Sequence, residues 1–361
     1  MFKAILGLDI GGANTKAALI KYSNSIPLES FSYIEYFPFW EQTLKDIPEM
    51  FNRIINQLVK SNGYSMEKVD SIAITITAEL SDAFETKKEG VLTILKALEQ
   101  VFEKEKMVFI NNENKFIDFN QVSSNPISVA AANWVSTSLF LGKFVPNCIL
   151  IDAGSTTIDI IPILNSIPVS KGKTDIERLI NHELIYTGGL RATIPSITHF
   201  VPYKGSIVRI SFEKFALISD VHRILNNIDE KDYINDTADN RSKSLDDCYA
   251  RLSRILCMDS DTISKEELVN IAKYIYDQQL EIVKTEIAQF MKQLNIRTTE
   301  FRESPHFVIT GLSAEFLIKK SLKELGYNDI SSYEEITKIP DNISSSAFAI
   351  AGAYFFKSNK V

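Results

Sequence analysis

The chain has 361 residues, of which 45% are hydrophobic, so it can bury a large core and divide into two domains. Its formal net charge of −7 argues against a nucleic-acid groove or an anionic membrane surface as a partner. The three cysteines form no CxxC pair and no metal-binding spacing with the four histidines, which argues against a disulfide framework and a zinc site. A reducing cytoplasm is therefore the expected location.

The apolar run at the N-terminus carries Asp9, which is foreign to a signal peptide. No apolar stretch approaches the roughly 20 residues that a membrane-spanning helix needs. We therefore expect a soluble intracellular protein that acts on small molecules and has no membrane or nucleic-acid partner. The sequence carries no signal for an oligomeric state.

The first half of the chain alternates strands and helices. Residues 2–10 and 15–21 form a predicted hairpin, joined by residues 11–14, whose glycines allow a tight turn. The spacing of apolar residues predicts strands at 31–36, 69–77 and 107–110, helices at 41–60 and 90–104, an Ala-rich helix within 123–141 with Pro126 in its first turn, and a second hairpin at 148–163. This order predicts an α/β protein with mixed sheets.

The second half is less regular. Short strands at 184–186 and 207–210 and a helix near 219–226 precede residues 226–244, the most polar stretch, which we interpret as a surface loop. Beyond it, apolar spacing predicts helices at 245–258 and 265–294, a core strand at 307–310, and an Ala-rich helix at 344–356.

A strand–loop–strand pattern occurs twice. Near the N-terminus the sequence is Asp9-Ile-Gly11-Gly12-Ala13-Asn14-Thr15, and in the middle it is Asp152-Ala-Gly154-Ser155-Thr156-Thr157. The two aspartates are separated by about 140 residues, the length of a small domain. One such turn alone is most often a plain hairpin, but two matched copies indicate a duplicated α/β unit with two facing loops.

The composition of both loops suits a phosphate chain. Gly11, Gly12 and Gly154 leave backbone N–H groups open to an anion. Polar side chains supply further donors: Asn14, Thr15, Ser155, Thr156 and Thr157, with Ala13 completing the first loop. Asp9 and Asp152 would repel phosphate, so their expected role is to hold Mg²⁺, usually through water. We expect no organic cofactor.

Residues 152–159 resemble the second phosphate loop of the actin/Hsp70/sugar-kinase proteins, and residues 9–15 resemble the first. The resemblance implies a duplicated actin-like (ribonuclease H-like) ATPase superfold, an α/β fold of two domains with mixed sheets facing a central cleft. The domains would be residues 1–140 and 141–361. The second would carry a helical and loop insertion at about 165–300, and the helix 344–356 would pack back at the hinge.

Residues 124–133 and 344–352 resemble the two connecting helices of that superfold. Ile309-Thr310-Gly311 resembles its adenosine motif, which usually carries a pair of glycines, whereas here Leu312 and Ser313 follow Gly311. This departure weakens the expectation of adenine binding and leaves phosphate binding intact, with Gly311 as part of the site.

Three motifs in order, within residues 151–162, 172–179 and 183–191, are similar to hydantoinase-like proteins linked to tetrahydromethanopterin one-carbon metabolism in methanogens and methylotrophs. In methanogens the resemblance implies an enzyme of methanofuran biosynthesis. Such an enzyme joins γ-glutamyltyramine, a phenolic acceptor, to the diphosphate of 5-(aminomethyl)-3-furanmethanol and releases pyrophosphate. One departure from the family is Asn181-His182, at a turn where a glycine is expected.

Catalysis of this reaction is chiefly electrostatic, because neutralising the diphosphate allows a furan-stabilised carbocation to form. Lys16 and Arg191 are the predicted partners of the diphosphate, the latter as a bidentate fork. Glu183 and Asp159 are candidate bases for the phenol. The plain alternatives are a solvated strand residue for Lys16, a salt bridge for Arg191 and supporting roles for both carboxylates.

Two other functions stay open at this point. An ATP-dependent kinase or hydantoinase-type hydrolase of the same superfold would use Asp159 or Asp152 as its base. A nucleotide sensor or assembly protein without catalytic activity is the third. The histidines 182 and 199 are weaker candidate bases, and the aromatic run 31–40 is most often packing surface, with recognition of an aromatic substrate as the alternative.

Overall fold

The computed structural model describes residues 2–23, 26–339 and 345–358. The chain forms two compact units. Unit 1 comprises Met1–Cys148, Ile161–Arg178 and Tyr333–Val361, and unit 2 comprises Ile149–Ile160 and Leu179–Ser332. This division differs from a single boundary at residue 140, because residues 161–178 and the C-terminal segment associate with the N-terminal part of the chain. The predicted domain limits stay a prediction.

Fourteen strands are described. They are β1 (Phe2–Ile10), β2 (Asn14–Ser23), β3 (Ile26–Tyr36), β4 (Ser71–Ile76), β5 (Met107–Ile110), β6 (Phe116–Asp118), β7 (Cys148–Ala153), β8 (Ile158–Leu164), β9 (Ile167–Pro168), β10 (Leu184–Ile185), β11 (Phe200–Tyr203), β12 (Ser206–Arg209), β13 (Phe307–Thr310) and β14 (Ile330–Ser332).

The described α-helices number eleven. They are α1 (Ile47–Ile54), α2 (Lys87–Leu98), α3 (Phe119–Ser124), α4 (Asn133–Leu141), α5 (Asp175–Ile180), α6 (Ile218–Ile224), α7 (Leu245–Arg254), α8 (Lys265–Arg297), α9 (Lys319–Glu324), α10 (Tyr333–Thr337) and α11 (Ser345–Ser358). Short 3-10 and π turns extend some of them, as at Ile55–Val59 after α1. No helix among the described residues combines the length and apolarity of a membrane span.

Unit 1 is built on a six-stranded sheet in the order β3-β2-β1-β4-β5-β6. β1 runs antiparallel to β2 and parallel to β4, and β4 runs parallel to β5. β4 is buried at every position, as expected for a parallel strand covered on both faces. The carboxyl ends of β1 and β4 therefore lie side by side, with Asp9 in register with Thr75.

The sheet of the second half has six strands, five of them in the order β10-β8-β7-β13-β14, while β9 pairs with the end of β8. β10 is antiparallel to β8, while β13 is parallel to both β7 and β14. The strand order and the directions of these three pairs repeat those of the corresponding strands of unit 1. The prediction of a duplicated α/β fold with mixed sheets is thereby confirmed, and Asp152 ends β7 as Asp9 ends β1.

The Ala-rich helix predicted within 123–141 is wrong. The chain forms α3, a 3-10 turn at Pro126–Val129, and then α4. Between them Ala130 is extended and Ala131 has a φ of +50°. Ala130 forms a parallel bridge with Ile76, and its carbonyl accepts a hydrogen bond of 3.1 Å from the Asn112 side chain. These tertiary hydrogen bonds outweigh the helix propensity of alanine.

Most other predicted elements are present within a few residues, including both hairpins and the long α8. Residues 226–244 contain no helix or strand, as predicted. The strand predicted at 207–210 is present as β12, but its partner β11, which pairs Phe200 with Arg209, and the short elements α5, α9 and β14 were not predicted. The predicted start of the C-terminal helix, Ser344, lies outside the described residues.

Candidate active site

The first loop, loop 1 (residues 9–15), turns tightly between β1 and β2. The Gly11 amide donates to the Asn14 carbonyl at 3.1 Å, which closes the turn. The amides of Gly12 and Ala13 donate to no acceptor among the described residues, and both residues are half-buried. Successive free amides in such a turn form a concave anion site. The geometry therefore suits a phosphate group, as the sequence predicts.

Two other segments hold loop 1 in place. The Phe39 amide donates to the Gly12 carbonyl at 3.0 Å, and the Phe37 amide donates to the Ala13 carbonyl at 2.9 Å. After β4, the Thr77 amide donates to the Ile10 carbonyl at 2.8 Å. The aromatic run at 31–40 thus supports the loop from its backbone, while Phe37 and Phe39 are themselves buried.

Asp9 is buried at the end of β1. Its Oδ2 accepts a hydrogen bond of 2.5 Å from Ser346 Oγ and lies 4.0 Å from Lys16 Nζ. Its Oδ1 is buried and has no hydrogen-bond partner within the described part of the chain. Lys16 therefore reaches the carboxylate end of loop 1, and one oxygen of Asp9 is left for a ligand.

Thr15 is placed differently from the expectation. It is fully buried, and its hydroxyl lies 3.5 Å from Met50 Sδ. The physical reason is strand alternation. Thr15 of β2 pairs with Ile10 of β1 and faces the core of unit 1, so its hydroxyl points away from the turn.

The second loop, loop 2 (residues 152–157), has the same turn. The Gly154 amide donates to the Thr157 carbonyl at 2.9 Å, and the amides of Ser155 and Thr156 donate to no acceptor among the described residues. The three residues of the loop that carry hydroxyl groups, Ser155, Thr156 and Thr157, are half-buried. Loop 2 therefore offers both free amides and hydroxyl donors to an anion.

A glycine turn at residues 187–191 packs directly on loop 2. The amides of Gly188 and Gly189 donate to the Thr156 and Gly154 carbonyls at 2.9 Å each. Those of Leu190 and Arg191 donate to the Ser155 carbonyl at 3.0 and 3.1 Å. A Cβ at Gly188 would lie 2.6 Å from the Gly154 carbonyl oxygen, so only glycine allows this approach. Arg191 is thus fixed to loop 2 through its backbone, with an exposed side chain.

A buried relay from α8 secures this glycine turn. Gln279 Nε2 donates to Thr187 Oγ1 and to the Gly188 carbonyl, both at 3.1 Å. Gln279 Oε1 lies 3.0 Å from His222 Nε2, and Asn227 Nδ2 lies 3.1 Å from His222 Nδ1. Burial lowers the pKa of His222 to about 3, so the imidazole is neutral, donating from Nε2 and accepting at Nδ1. The sequence signal for this network is a glutamine, Gln279, within the apolar stripe of α8, and Gln279 was not among the residues predicted for the site.

Gly311 touches loop 2 from β13. Its φ is +91°, and a Cβ there would lie 2.5 Å from the Ala153 carbonyl oxygen and 2.9 Å from Asp152 Oδ1. Both the amide and the hydroxyl of Ser313 donate to that same carbonyl at 3.2 Å. The single glycine is therefore required by the close approach of two strand ends.

The two predicted bases of the second half lie on neighbouring strands. Asp159 is half-buried on β8, in register with Leu184. Glu183 is fully buried, with its carboxylate 3.3 Å from Arg297 Nη2, and its carbonyl accepts from the Ile160 amide. Glu183 thus has the surroundings of a structural ion pair.

The two histidines that were weaker candidate bases each contact a neighbouring side chain. His182 Nδ1 lies 2.7 Å from Glu286 Oε2, and the His199 ring packs on Phe212. Their role as candidate bases stays a prediction.

Glu79 is the acidic residue that the sequence reading missed. It lies in the short turn Ala78–Leu80 that follows β4 and is 1% exposed. Neither carboxylate oxygen has a hydrogen-bond partner among the residues that the structure describes. Burial raises its pKa to about 7, and this rise is opposed by the backbone of Glu79 itself, by Lys87 and by the backbone of Ala131. The available signal was an acidic residue directly after a fully buried strand.

The described residues contain no group of three or more His, Cys, Asp or Glu side chains that could hold a metal ion. A direct multi-carboxylate site is therefore absent from this part of the chain. The partnerless Asp9 Oδ1 nevertheless fits a hard cation, because Mg²⁺ takes oxygen ligands and keeps most of its waters. This oxygen of Asp9 therefore fits the predicted magnesium ion, which would be bound mostly through water.

The chain resembles known proteins in sequence. A family model described as Hydantoinase/oxoprolinase matches residues 70–355. The chain is 36% identical over 350 residues to the (4-{4-[2-(gamma-L-glutamylamino)ethyl]phenoxymethyl}furan-2-yl)methanamine synthase of Methanocaldococcus jannaschii, and the match covers 96% of each chain. It is 37% identical over 179 residues to the synthase of the same name from Methanococcus vannielii, which is 50% of this chain and 76% of that one.

Among solved structures, the nucleotide-free structure of acetone carboxylase matches with a TM-score of 0.53. The match covers 97% of this chain and 70% of that one, at 11% identity. At this identity the likeness shows the fold alone. Together with the repeated strand order, it confirms the predicted actin-like superfold.

Proposed function

The chain belongs to the hydantoinase/oxoprolinase family, and from this we propose that it catalyses the reaction for which its relatives from Methanocaldococcus jannaschii and Methanococcus vannielii are named. That reaction is the methanofuran-biosynthesis step that joins γ-glutamyltyramine to 5-(aminomethyl)-3-furanmethanol diphosphate. The observation that carries the proposal is 36% identity over 96% of the chain. Two loops with free amides support it, since the leaving group is a diphosphate.

The reaction balances as a substitution at the furanylmethyl carbon. The C–O bond to the diphosphate breaks, and its electron pair leaves with pyrophosphate. The phenolic oxygen forms the new C–O bond, and the phenolic proton passes to a base. The free amides of loop 1 and those of loop 2 are each suited to bind diphosphate oxygens, and the Arg191 guanidinium would donate hydrogen bonds to the charge that grows on the leaving group. Mg²⁺ bound near Asp9 or Asp152 would supply further neutralisation of that charge.

The direct test is to incubate the protein with Mg²⁺, γ-glutamyltyramine and the furanmethanol diphosphate. Pyrophosphate and the aryl ether should form in equal amounts, measured by a pyrophosphate assay and mass spectrometry. ATP hydrolysis or phosphorylation of the furanmethanol, without ether formation, would overturn the proposal in favour of a kinase or hydrolase.

Asp152→Asn tests the assignment of magnesium. Because the carboxylate is proposed to hold the cation, we expect the kcat of Asp152→Asn to fall about 100-fold or more in limiting Mg²⁺. The free energy of unfolding should change little, as for most substitutions outside the core. Asp261→Asn, at an exposed aspartate of unit 2, is the control. Normal turnover of Asp152→Asn at limiting Mg²⁺ would remove Asp152 from the site.

A further inference from the structure

We propose that Glu79 is the general base that accepts the phenolic proton of the acceptor. The proposal rests on the proposed function and adds the proton acceptor that the reaction needs. It differs from the sequence-based candidates Asp159 and Glu183, which lie on β8 and beside β10.

The turn that carries Glu79 is joined to loop 1 at both ends. On one side, the Thr77 amide donates to the Ile10 carbonyl at 2.8 Å. On the other side, Ser81 Cβ would lie 3.5 Å from a Cβ at Gly12. Glu79 is midway between these two contacts. Its position is therefore set by the same loop whose amides are open to the diphosphate ester.

The carboxylate of Glu79 differs from the other buried carboxylates among the described residues. Asp220 bonds to Arg251 and Tyr233, Glu183 pairs with Arg297, and Glu35 accepts from Arg53 and Tyr33. Glu79 has no such partner on either oxygen. Because an unpartnered buried carboxyl costs stability, its presence next to loop 1 is explained by a ligand that completes its hydrogen bonding.

The charged groups nearest to Glu79 come from two other elements. Lys87 of α2 favours its ionised form, and Asp175 of α5 opposes it. These two residues form an ion pair of 2.7 Å with each other, and they act on Glu79 in opposite directions. Burial then dominates and brings the pKa of Glu79 to about 7. A base is most effective when its pKa lies near the working pH.

Tight packing around the turn also keeps water out. A Cβ at Gly90 would lie 2.8 Å from Glu79 Cα and 2.9 Å from the Phe84 ring, so α2 lies directly on the turn. A furanylmethyl cation reacts readily with water, so a base shielded from solvent favours capture by the phenol. The phenolic O–H bond breaks, its proton goes to Glu79, and its electron pair forms the ether.

The test uses Glu79→Gln and measures pyrophosphate and aryl ether separately. Ionisation of the diphosphate needs no base, so pyrophosphate release should persist, with water replacing the phenol and furanmethanol as product. Ether formation should fall at least 100-fold. In the wild-type protein, ether formation should rise as the pH passes about 7, and Glu79→Gln should lose that rise. Glu85→Gln, at an exposed glutamate near the same turn, is the control.

A ring-fluorinated acceptor gives a second measurement. Its phenol is more acidic and ionises without help, so it should restore ether formation in Glu79→Gln far more than in the control. Near-native ether formation by Glu79→Gln would overturn the proposal, and so would equal loss of ether and pyrophosphate with every acceptor. If the wild-type protein releases no pyrophosphate from these substrates, the proposed function fails instead. Should Glu79→Gln not fold, Glu79→Asp and the wild-type pH profile with both acceptors decide the matter.

Discussion

Loop 1 and loop 2 share a strand order and a turn but are held in different ways. In each, a glycine amide two residues after the aspartate donates to the carbonyl three residues further on, at 3.1 Å in loop 1 and 2.9 Å in loop 2. Loop 1 is supported by an extended aromatic segment and by the end of β4. Loop 2 is supported by a glycine turn, by Gly311, and by a buried glutamine and histidine.

The two surroundings differ most in unsatisfied polar groups. Near loop 1, Asp9 Oδ1, Thr75 Oγ1 and both oxygens of Glu79 are buried without partners among the described residues. Near loop 2, Gln279 and the neutral His222 are bonded at both ends of their side chains. There Ser219, whose amide donates to the Leu190 carbonyl, has a buried hydroxyl without a partner in the described part of the chain. A satisfied network fixes a rigid anion site, whereas groups left unpaired are available to a substrate. The comparison thus suggests that loop 2 mainly binds the substrate anion, whereas residues around loop 1 also take part in the reaction.

The largest effect on stability and activity should come from a side-chain atom placed in the narrow space between Gly311 and loop 2. Gly311→Ala places a Cβ 2.5 Å from the Ala153 oxygen at a φ of +91°, so it should cost about 3 kcal/mol or more of unfolding free energy and abolish most activity. Gly326→Ala has a similar φ of +89° in open space and should cost only about 1 kcal/mol. Chemical denaturation of both variants gives the comparison. Equal losses would mean that backbone strain, and not contact with loop 2, explains the glycine.

The next effect concerns the cation beside loop 2. Arg191→Ala removes a guanidinium that we expect to bond the leaving diphosphate mainly in the transition state, so kcat should fall about 100-fold. Arg191→Lys keeps the charge without the fork and should recover only part of the loss. Steady-state kinetics, with circular dichroism as the folding check, measure this. Near-native kcat in both variants would make Arg191 structural and shift attention to Lys16 at loop 1.

The smallest effect concerns pH and the relay that supports loop 2. The pKa of His222 is lowered to about 3 in the folded protein, so the unfolded chain binds an extra proton between about pH 6.5 and 3. Unfolding free energy should therefore be fully retained above about 6.5 and fall on acidification, by at most about 1.4 kcal/mol per pH unit from this group. His222→Asn should flatten the slope, measured by denaturation at several pH values. His306→Asn, at a half-buried histidine of the same unit, should leave it unchanged.

The sequence by itself determined the duplicated fold and the two loops. Alternating apolar residues specify strands, and glycines after Asp9 and Asp152 specify turns, because both signals act over a few neighbouring residues. The same local logic misplaced the helix through Ala130 and Ala131, where Ile76 and Asn112 bond the backbone from distant parts of the chain. It also placed the hydroxyl of Thr15 at the turn, although strand alternation points it into the core.

Only the tertiary structure decided which polar groups are satisfied. Gln279 is 92 residues from Thr187, and its role becomes visible only when α8 packs against the glycine turn. Glu183 precedes an apolar pair and Glu79 follows an apolar strand, yet folding gives Arg297 to the first and no hydrogen-bond partner among the described residues to the second. Burial and hydrogen bonding depend on contacts between segments far apart in sequence. A carboxylate's chemistry is therefore set by the neighbours that the fold brings to it.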